Sequence, residues 1–203
     1  MDKTQKTNKE FYDRSAEQWT ASHTNSFWHE NQFRAFVKML PKGARVIDIG
    51  CASGIHVPLF LGIGRHLKYE GVDLSSKFLS IARARFPQLS FRRANILDAK
   101  TLPKNKYDAF WAVAVMQHIP LKDWPTMLTN MEKLVKKGGV GYFTVPTERP
   151  NPASKEDRRF FEFFDDAKLR AAITPRGWKV VKSGERAGRT GNALWRWYIV
   201  RLP

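Results

Sequence analysis

The sequence predicts an α/β fold: a seven-stranded, mostly parallel sheet with helices on both faces and an antiparallel strand near the C-terminus. Three observations predict it. Short apolar, β-branched runs alternate with segments of helical periodicity through the middle of the chain. Strand–helix–strand order implies right-handed crossovers and hence parallel neighbours. The last two apolar runs are joined by about eleven residues with no helical pattern, so that pair turns back on itself.

The elements follow in order. Tyr12, Ala16 and Trp19 are spaced for one face of a helix over residues 8–20, and Phe33, Phe36, Val37 and Leu40 repeat the pattern over 27–40 until Pro41. Arg45–Ile49 is the first strand, with a helix from about Ile55. Tyr69–Val72 is the second strand, and a helix from Ser75 to Phe86 follows it. Leu89–Arg92 and Asp108–Val115 are the third and fourth strands. Asp123 caps the next helix, Pro125 sits in its first turn, Lys136 and Lys137 in its last, and Gly138 lies beyond. Val140–Val145 is the fifth strand. A helix from about Asp165 to Ile173 is closed by Pro175 and Gly177, and strands Trp178–Lys182 and Leu194–Arg201 finish the sheet.

Composition narrows the class. At 203 residues the chain has the length of one domain with a substantial core. We expect a single domain over 1–203: a helical N-terminal lid (1–40), a binding core (41–146) and a ligand-side insertion, last helix and closing hairpin (147–203). One cysteine excludes an intrachain disulfide and a multi-cysteine metal site. No apolar run is long enough to span a membrane, and Met1 to Glu10 is polar, so a cytoplasmic monomer is expected. The net charge of +16 sits in two blocks. Residues 76–110 carry eight Lys/Arg against two Asp/Glu, and residues 176–203 carry seven against one. Such blocks either solvate a surface or meet an anionic partner such as RNA.

The most informative stretch is Val46-Ile47-Asp48-Ile49-Gly50-Cys51-Ala52-Ser53-Gly54, a strand that runs into a small-residue loop and then a helix. A dinucleotide fingerprint starting at Gly50 would need glycine at Ala52 and Ile55, so the pyrophosphate reading fails twice. The segment resembles motif I of the class I S-adenosylmethionine (SAM) methyltransferases, (D/E)-x-G-x-G-x-G, through Asp48, Gly50 and Gly54, with Ala52 as the departure. The resemblance extends over residues 45–146 and is to the ubiquinone/menaquinone type. It implies a Rossmann-like fold, SAM as methyl donor, S-adenosylhomocysteine as product and no metal.

The resemblance also implies a set of site residues. The loop residues Asp48, Gly50, Cys51, Ala52, Ser53 and Gly54 would face the methionine part of SAM, although Cys51 also reads as a small buried residue. Asp73, 19 residues after Gly54, would take the ribose diol beside Leu74, or else cap the next helix. Asn95 with Ile96 would meet the adenine, with Asp98 as the competing alignment. Val113 and Val115 lie on the fourth strand, which ends in Met116-Gln117-His118-Ile119 and resembles the family's motif IV. His118 would stand at the rim of the transfer site or anchor its loop. Phe11-Tyr12-Asp13-Arg14-Ser15-Ala16-Glu17-Gln18-Trp19 resembles the family's lid helix, with Trp19 over the cofactor. His118 and Tyr12 are the candidate bases.

The acceptor side is read from charge. Arg158 and Arg159 lie after the fifth strand, and Arg186 and Arg189 in the closing hairpin, an arginine rim suited to a phosphate-bearing acceptor. Cytosine-C5 transfer would need a thiolate beyond the fourth strand. Adenine-amine transfer would need an Asn/Asp-Pro-Pro turn there. Metal-assisted transfer would need carboxylates where Val115, Met116, Val145 and Pro146 stand. All three are excluded, leaving in-line SN2 transfer to an O, N or C nucleophile of a small, anionic acceptor. The alternatives are an RNA acceptor, since Tyr12–Trp19, Ala112–His118 and Asn192–Trp195 weakly resemble the tRNA wobble-uridine methyltransferases, and a non-catalytic nucleoside-binding protein.

Overall fold

The computed structural model describes residues 1–23, 29–148, 157–188 and 193–203. Helix α1 (Lys3–Ser22) and α2 (Glu30–Val37) precede β1 (Arg45–Ile49), α3 (Val57–Gly62), β2 (Lys68–Asp73), α4 (Ser76–Arg85) and β3 (Ser90–Arg93). Then come β4 (Tyr107–Ala112), α5 (Trp124–Leu134), β5 (Val135–Pro146), α6 (Asp166–Ile173), β6 (Lys179–Ala187) and β7 (Leu194–Arg201). The seven strands form one sheet in the order β3-β2-β1-β4-β5-β7-β6. Strands β1 to β5 pair in parallel. Strand β7 runs antiparallel to both β5 and β6, so β6 points the same way as β5. The strand order reverses between β1 and β4, and a ligand crevice belongs at their carboxyl ends.

Period-two alternation builds a core on each face. Phe110 and Phe143 face one way, with Trp124 and Trp178. Trp111 and Tyr142 face the other, with Phe33, Phe36 and Phe60 from α2 and α3. Trp111 is wholly buried. It stacks on Tyr142 at 3.9 Å between centroids and meets Phe33 and Phe36 at 5.4 and 5.3 Å.

Four expected boundaries move. Helix α1 starts at Lys3 rather than near residue 8, because Asp2 caps it by accepting from the Gln5 amide. Strand β4 ends at Ala112, not Val115, because Ala114 turns left-handed (φ 55°) and its N–H goes to Thr144 Oγ1 at 2.9 Å. Helix α5 ends at Leu134, and Val135 already pairs with Tyr107, so Lys136 and Lys137 stand on β5. Strand β6 runs five residues past Lys182 to Ala187, drawn out by pairing with β7 as far as Ala187↔Leu194. Among the described residues no helix is long and apolar enough to cross a membrane.

Replacing Trp111 by Ala should cost about 3–5 kcal/mol, because a wholly buried ring packed among other rings leaves a cavity that its neighbours cannot fill. Urea unfolding of the variant measures it; a loss under 1 kcal/mol would contradict the packing described.

Candidate functional site

The loop after β1 is held in a conformation that L-residues resist. Gly50 (φ 71°), Ala52 (φ 47°) and Gly54 (φ 73°) are all left-handed. The Gly50 and Cys51 amides both donate to Val72 O, at 2.7 and 3.1 Å, which ties the loop to the end of β2. A Cβ on Gly50 would lie 2.2 Å from Val115 Cγ2, so the crevice between β1 and β4 admits only glycine there. Ala52 accepts about 1–2 kcal/mol of left-handed strain, and its amide donates to Asp73 Oδ2 at 2.9 Å.

Asp73 ends β2 and joins both loops. Its Oδ1 accepts from the Ser75 amide at 2.8 Å while Ser75 Oγ caps α4 by accepting from Phe78 N. Asp73 is therefore the loop tie, and Ser75, not Asp73, is the cap. Burial raises the Asp73 carboxyl to about 6, and the backbone donors at Ser75, Ala52 and Leu74 work against that rise.

A cavity of about 960 Å³ opens beyond these strand ends. Gly50, Ala52, Asp73, Leu74, Asn95, Ile96, Val113, Val115, Trp19, Tyr12, His118, Arg159 and Arg186 all line it. Four expected loop residues do not. Asp48 lies buried behind the wall, accepts from Tyr69 Oη at 2.9 Å, and is raised by burial to about 8. Cys51 is buried against Gly71, where a Cβ would sit 2.8 Å from its sulfur. Ser53 is buried, and its carbonyl accepts from Arg85 at 2.9 Å; Gly54 packs under the Phe86 ring. Arg158 is exposed away from the cavity wall, and Arg189 lies outside the described residues.

Helix α1 covers the cavity through a polar face. Gln5 Nε2 donates to Asn95 Oδ1 at 3.0 Å, and Asn95 Nδ2 returns a bond to Gln5 Oε1 at 3.3 Å. Asn8 Oδ1 accepts from Phe160 N at 2.8 Å, and Ser75 Oγ donates to Asp13 Oδ1 at 2.5 Å. Tyr12 sits at the centre of this face. His118 Nδ1 is 2.9 Å from the Phe160 carbonyl, which only accepts, so Nδ1 carries the proton. His118 Nε2 then accepts from Tyr12 Oη at 2.8 Å, and Tyr12 Oη accepts from Arg159 at 2.8 Å. Arg159 is clamped by buried Asp157 and stacked over Phe11 at 4.3 Å. Burial holds the His118 imidazole down to about 4 and raises the Tyr12 phenol, so both are neutral near pH 7.

A second polar group stands at the other end. Arg186, half-buried at the carboxyl end of β6, donates to His29 Nε2 at 2.8 Å. His29 Nδ1 therefore carries the proton and donates to Tyr142 Oη at 3.1 Å. The His56 ring lies 5.4 Å from that of His29. Burial pushes both imidazoles down, His56 to about 3, and Arg186 down to about 10.

Gln5, Asn8, His29 and His56 escaped the sequence reading. The first two were within reach, since Gln5 and Asn8 extend the Tyr12–Ala16–Trp19 face backward at helical spacing. The histidines carry no such signal, because their neighbours at the cavity come from β4, β5 and β6.

Residues 46–139 match the family described as Methyltransferase domain. Trans-aconitate 2-methyltransferase of Variovorax paradoxus (strain S110) is 31% identical over 117 residues, covering 57% of this chain and 44% of that protein. The mouse tRNA (carboxymethyluridine(34)-5-O)-methyltransferase ALKBH8 is 33% identical over 143 residues, covering 66% of this chain and 20% of its own. The chain thus spans under half the length of these curated relatives. Among solved structures, a putative Haloferax volcanii methyltransferase in complex with its Trm112 activator superposes with a TM-score of 0.72 at 17% identity, covering 93% of this chain and 96% of that one. Magnesium protoporphyrin IX methyltransferase of Synechocystis PCC 6803 with bound SAH superposes with a TM-score of 0.67 at 18% identity, covering 86% and 83%.

Two outcomes follow from the geometry. Gly50→Ala should destabilise the chain by about 2 kcal/mol or more, and Gly50→Ala/Val115→Ala should recover only part, since the clash goes but the left-handed strain stays. Full recovery in thermal melts would show that strain is absent. Acid should also destabilise the fold. His29, His56 and His118 have depressed folded pKa values, so their contribution is complete above about 6.5 and is lost as pH falls toward 4. Asp48 and Asp73, raised, act oppositely over that window. The three imidazoles outnumber the two carboxyls, so stability should fall on balance as pH drops from about 6 toward 4. Unfolding curves across that range measure it, and a His56→Phe variant should flatten the slope.

Proposed function

We propose that the chain is a class I SAM-dependent methyltransferase, a reading supported by its fold and by the family match of residues 46–139, and that it methylates a small acceptor enclosed beneath α1. One observation carries this reading. A single cavity runs from the Gly50–Ala52 loop past Asp73 and Asn95 to Tyr12 and on to Arg186, and α1 lies across it. Its volume of about 960 Å³ is at the upper end for small-molecule sites, enough for a nucleoside cofactor and a second molecule.

The residues present fit SAM. The Asp73 carboxylate faces the cavity, and each oxygen already engaged by one amide keeps a lone pair for a ribose hydroxyl. Asn95 and Ile96 would meet the adenine, with Gln5 giving up its amide pair or sharing it. The small-residue loop puts Gly50 and Ala52 on the cavity wall, which suits the close approach of the methionine part. When bound, SAM supplies an electrophilic methyl on a sulfonium that leaves as a neutral thioether.

The chain's own residues then position and enclose. Trp19 packs edge-on against Phe78 at 5.0 Å and excludes water beside the cofactor place. Arg159 and His118 fix the Tyr12 hydroxyl from both sides, with its proton on the His118 side. Neither Tyr12 nor His118 is a strong base above about pH 5, because burial opposes both charged forms. We therefore assign the pair to orienting an O, N or C nucleophile that is already electron-rich at working pH.

RNA is the second reading. The identity with the mouse wobble-uridine enzyme over 66% of this chain, and the basic residues 176–203, favour it. Tritiated-methyl transfer from SAM into a small-molecule library, compared with transfer into total RNA, separates the two; label in RNA alone would overturn the small-acceptor reading.

Asp73→Ala should weaken SAM binding roughly 100-fold or more, the worth of two hydrogen bonds to a charged group. Titration calorimetry reads it, and unchanged affinity would remove Asp73 from the cofactor site. The sign of the pH effect follows from a carboxyl at about 6: SAM affinity should fall as pH drops below about 6, and Asp73→Asn should abolish that dependence.

A further inference from the structure

Resting on the small-acceptor reading, we propose that His56 binds the acceptor through an uncharged hydroxyl group. His56 stands just ahead of α3, two residues past Gly54, and its side chain does not cap that helix. It is 5% exposed and lines the cavity. Its ring meets those of His29 at 5.4 Å and Trp111 at 5.7 Å, both edge to face. Among the described residues, no group hydrogen-bonds either of its ring nitrogens. His29 beside it is different, since both of its nitrogens are engaged, one with Arg186 and one with Tyr142. Proteins pair nearly all of their buried polar groups, so a buried imidazole on a cavity wall with neither nitrogen engaged points to a ligand that supplies the partner.

Sheet order puts this imidazole on the acceptor side. Asp73 and Asn95, the ribose and adenine candidates, follow β2 and β3 on one side of β1. The neighbours of His56 come from the other side: Trp111 from β4, and Tyr142 and Arg186 from β5 and β6 through His29. The chemistry of the ring then selects the group it binds. Burial, with Arg186 nearby, pushes the imidazole down to about 3, so the ring is neutral at pH 7 and carries one N–H and one lone pair. A hydroxyl both donates and accepts and serves either nitrogen. An ammonium only donates, and the positive charge that already disfavours imidazolium here disfavours it as well. A carboxylate only accepts, and would exchange its hydration for a single N–H from this ring. Trp195, opposite Arg186 in the β6–β7 register, adds a flat apolar wall to the same cavity.

The test uses the full chain, labelled with ¹⁵N at its histidines and saturated with S-adenosylhomocysteine. Benzyl alcohol, benzyl methyl ether, toluene, benzylamine and benzoate are titrated at pH 7 and followed by NMR. Benzyl alcohol should bind roughly tenfold more tightly than toluene and more tightly than the ether or either ion. It should also move a ring-nitrogen resonance that is missing from His56→Phe, and toluene should not. His56→Phe should bring benzyl alcohol down to the affinity of toluene and leave S-adenosylhomocysteine affinity unchanged. His56→Gln, which keeps a donor and an acceptor, should recover part of the preference, which guards against a merely misfolded variant. Equal binding of benzyl alcohol and toluene, a preference that survives His56→Phe, or tighter binding of benzylamine or benzoate would each overturn the proposal. So would weaker S-adenosylhomocysteine binding by both variants at unchanged melting temperature, which would put His56 on the cofactor. Small molecules without a hydroxyl methylated equally well by the wild type and His56→Phe would refute this inference and leave the small-acceptor reading standing. Methyl label found only in RNA would refute the small-acceptor reading itself.

Discussion

The Asp73 carboxylate is the interaction on which the site depends. One oxygen takes the Ala52 amide from the loop after β1, and the other takes the Ser75 amide at the start of α4. Both loops leave the sheet from neighbouring strands, and neither has a regular hydrogen-bonding pattern of its own at that point. A half-buried carboxylate accepting amides from both loops fixes them together, and it does so while facing the cavity. The left-handed turn at Ala52 is tolerable because that tie offsets its strain. The same burial raises Asp73 toward 6, so the group that shapes the site also makes its ionisation sensitive to mild acid.

A second constraint comes from the sheet. Trp111 and Tyr142 sit side by side on β4 and β5 because those strands pair in register there. Their stacked rings close one face of the core, and the Tyr142 hydroxyl emerges from it beneath His29. Packing on one side of the sheet thereby sets the direction of Arg186 at the edge of the cavity. The Tyr12–His118–Arg159 group has a different origin. It is assembled from α1, the turn after β4 and the segment before α6, and it is held by buried Asp157.

Much of this was legible in the chain. The loop from Gly50 to Gly54 announced itself, because a β-branched run followed by small residues has few other uses. Asp73 and Asn95 stand at strand ends and Tyr12 and Trp19 share a helical face, and the family resemblance is what pointed to each as a site residue. Asp48, Cys51, Ser53 and Gly54 were less well read. A motif gives residue types in order, while left-handed turns at Gly50 and Ala52 decide which of them face the cavity. Strand ends were misjudged for a related reason. The apolar run through Val113–Val115 looks like continuing strand, yet the Ala114 amide is captured by Thr144 from the neighbouring strand. The start of α1 was hidden because Gln5 and Asn8 are polar on the buried face, where periodicity counts only apolar residues.

By itself the sequence determined the fold class, the succession of seven strands along the chain with an antiparallel closing pair, and the small-residue loop after the first strand. Those rest on local chemistry: side-chain period, glycine's freedom and caps. Only the tertiary structure decided that Gln5 pairs with Asn95 across 90 positions, that His118 accepts from Tyr12, and that His29 is held between Arg186 and Tyr142. Such contacts join residues far apart in the chain, and their geometry exists only once strand register and helix docking have set it. The tautomers of His29 and His118, and the neutrality of both rings, follow from those partners and from burial.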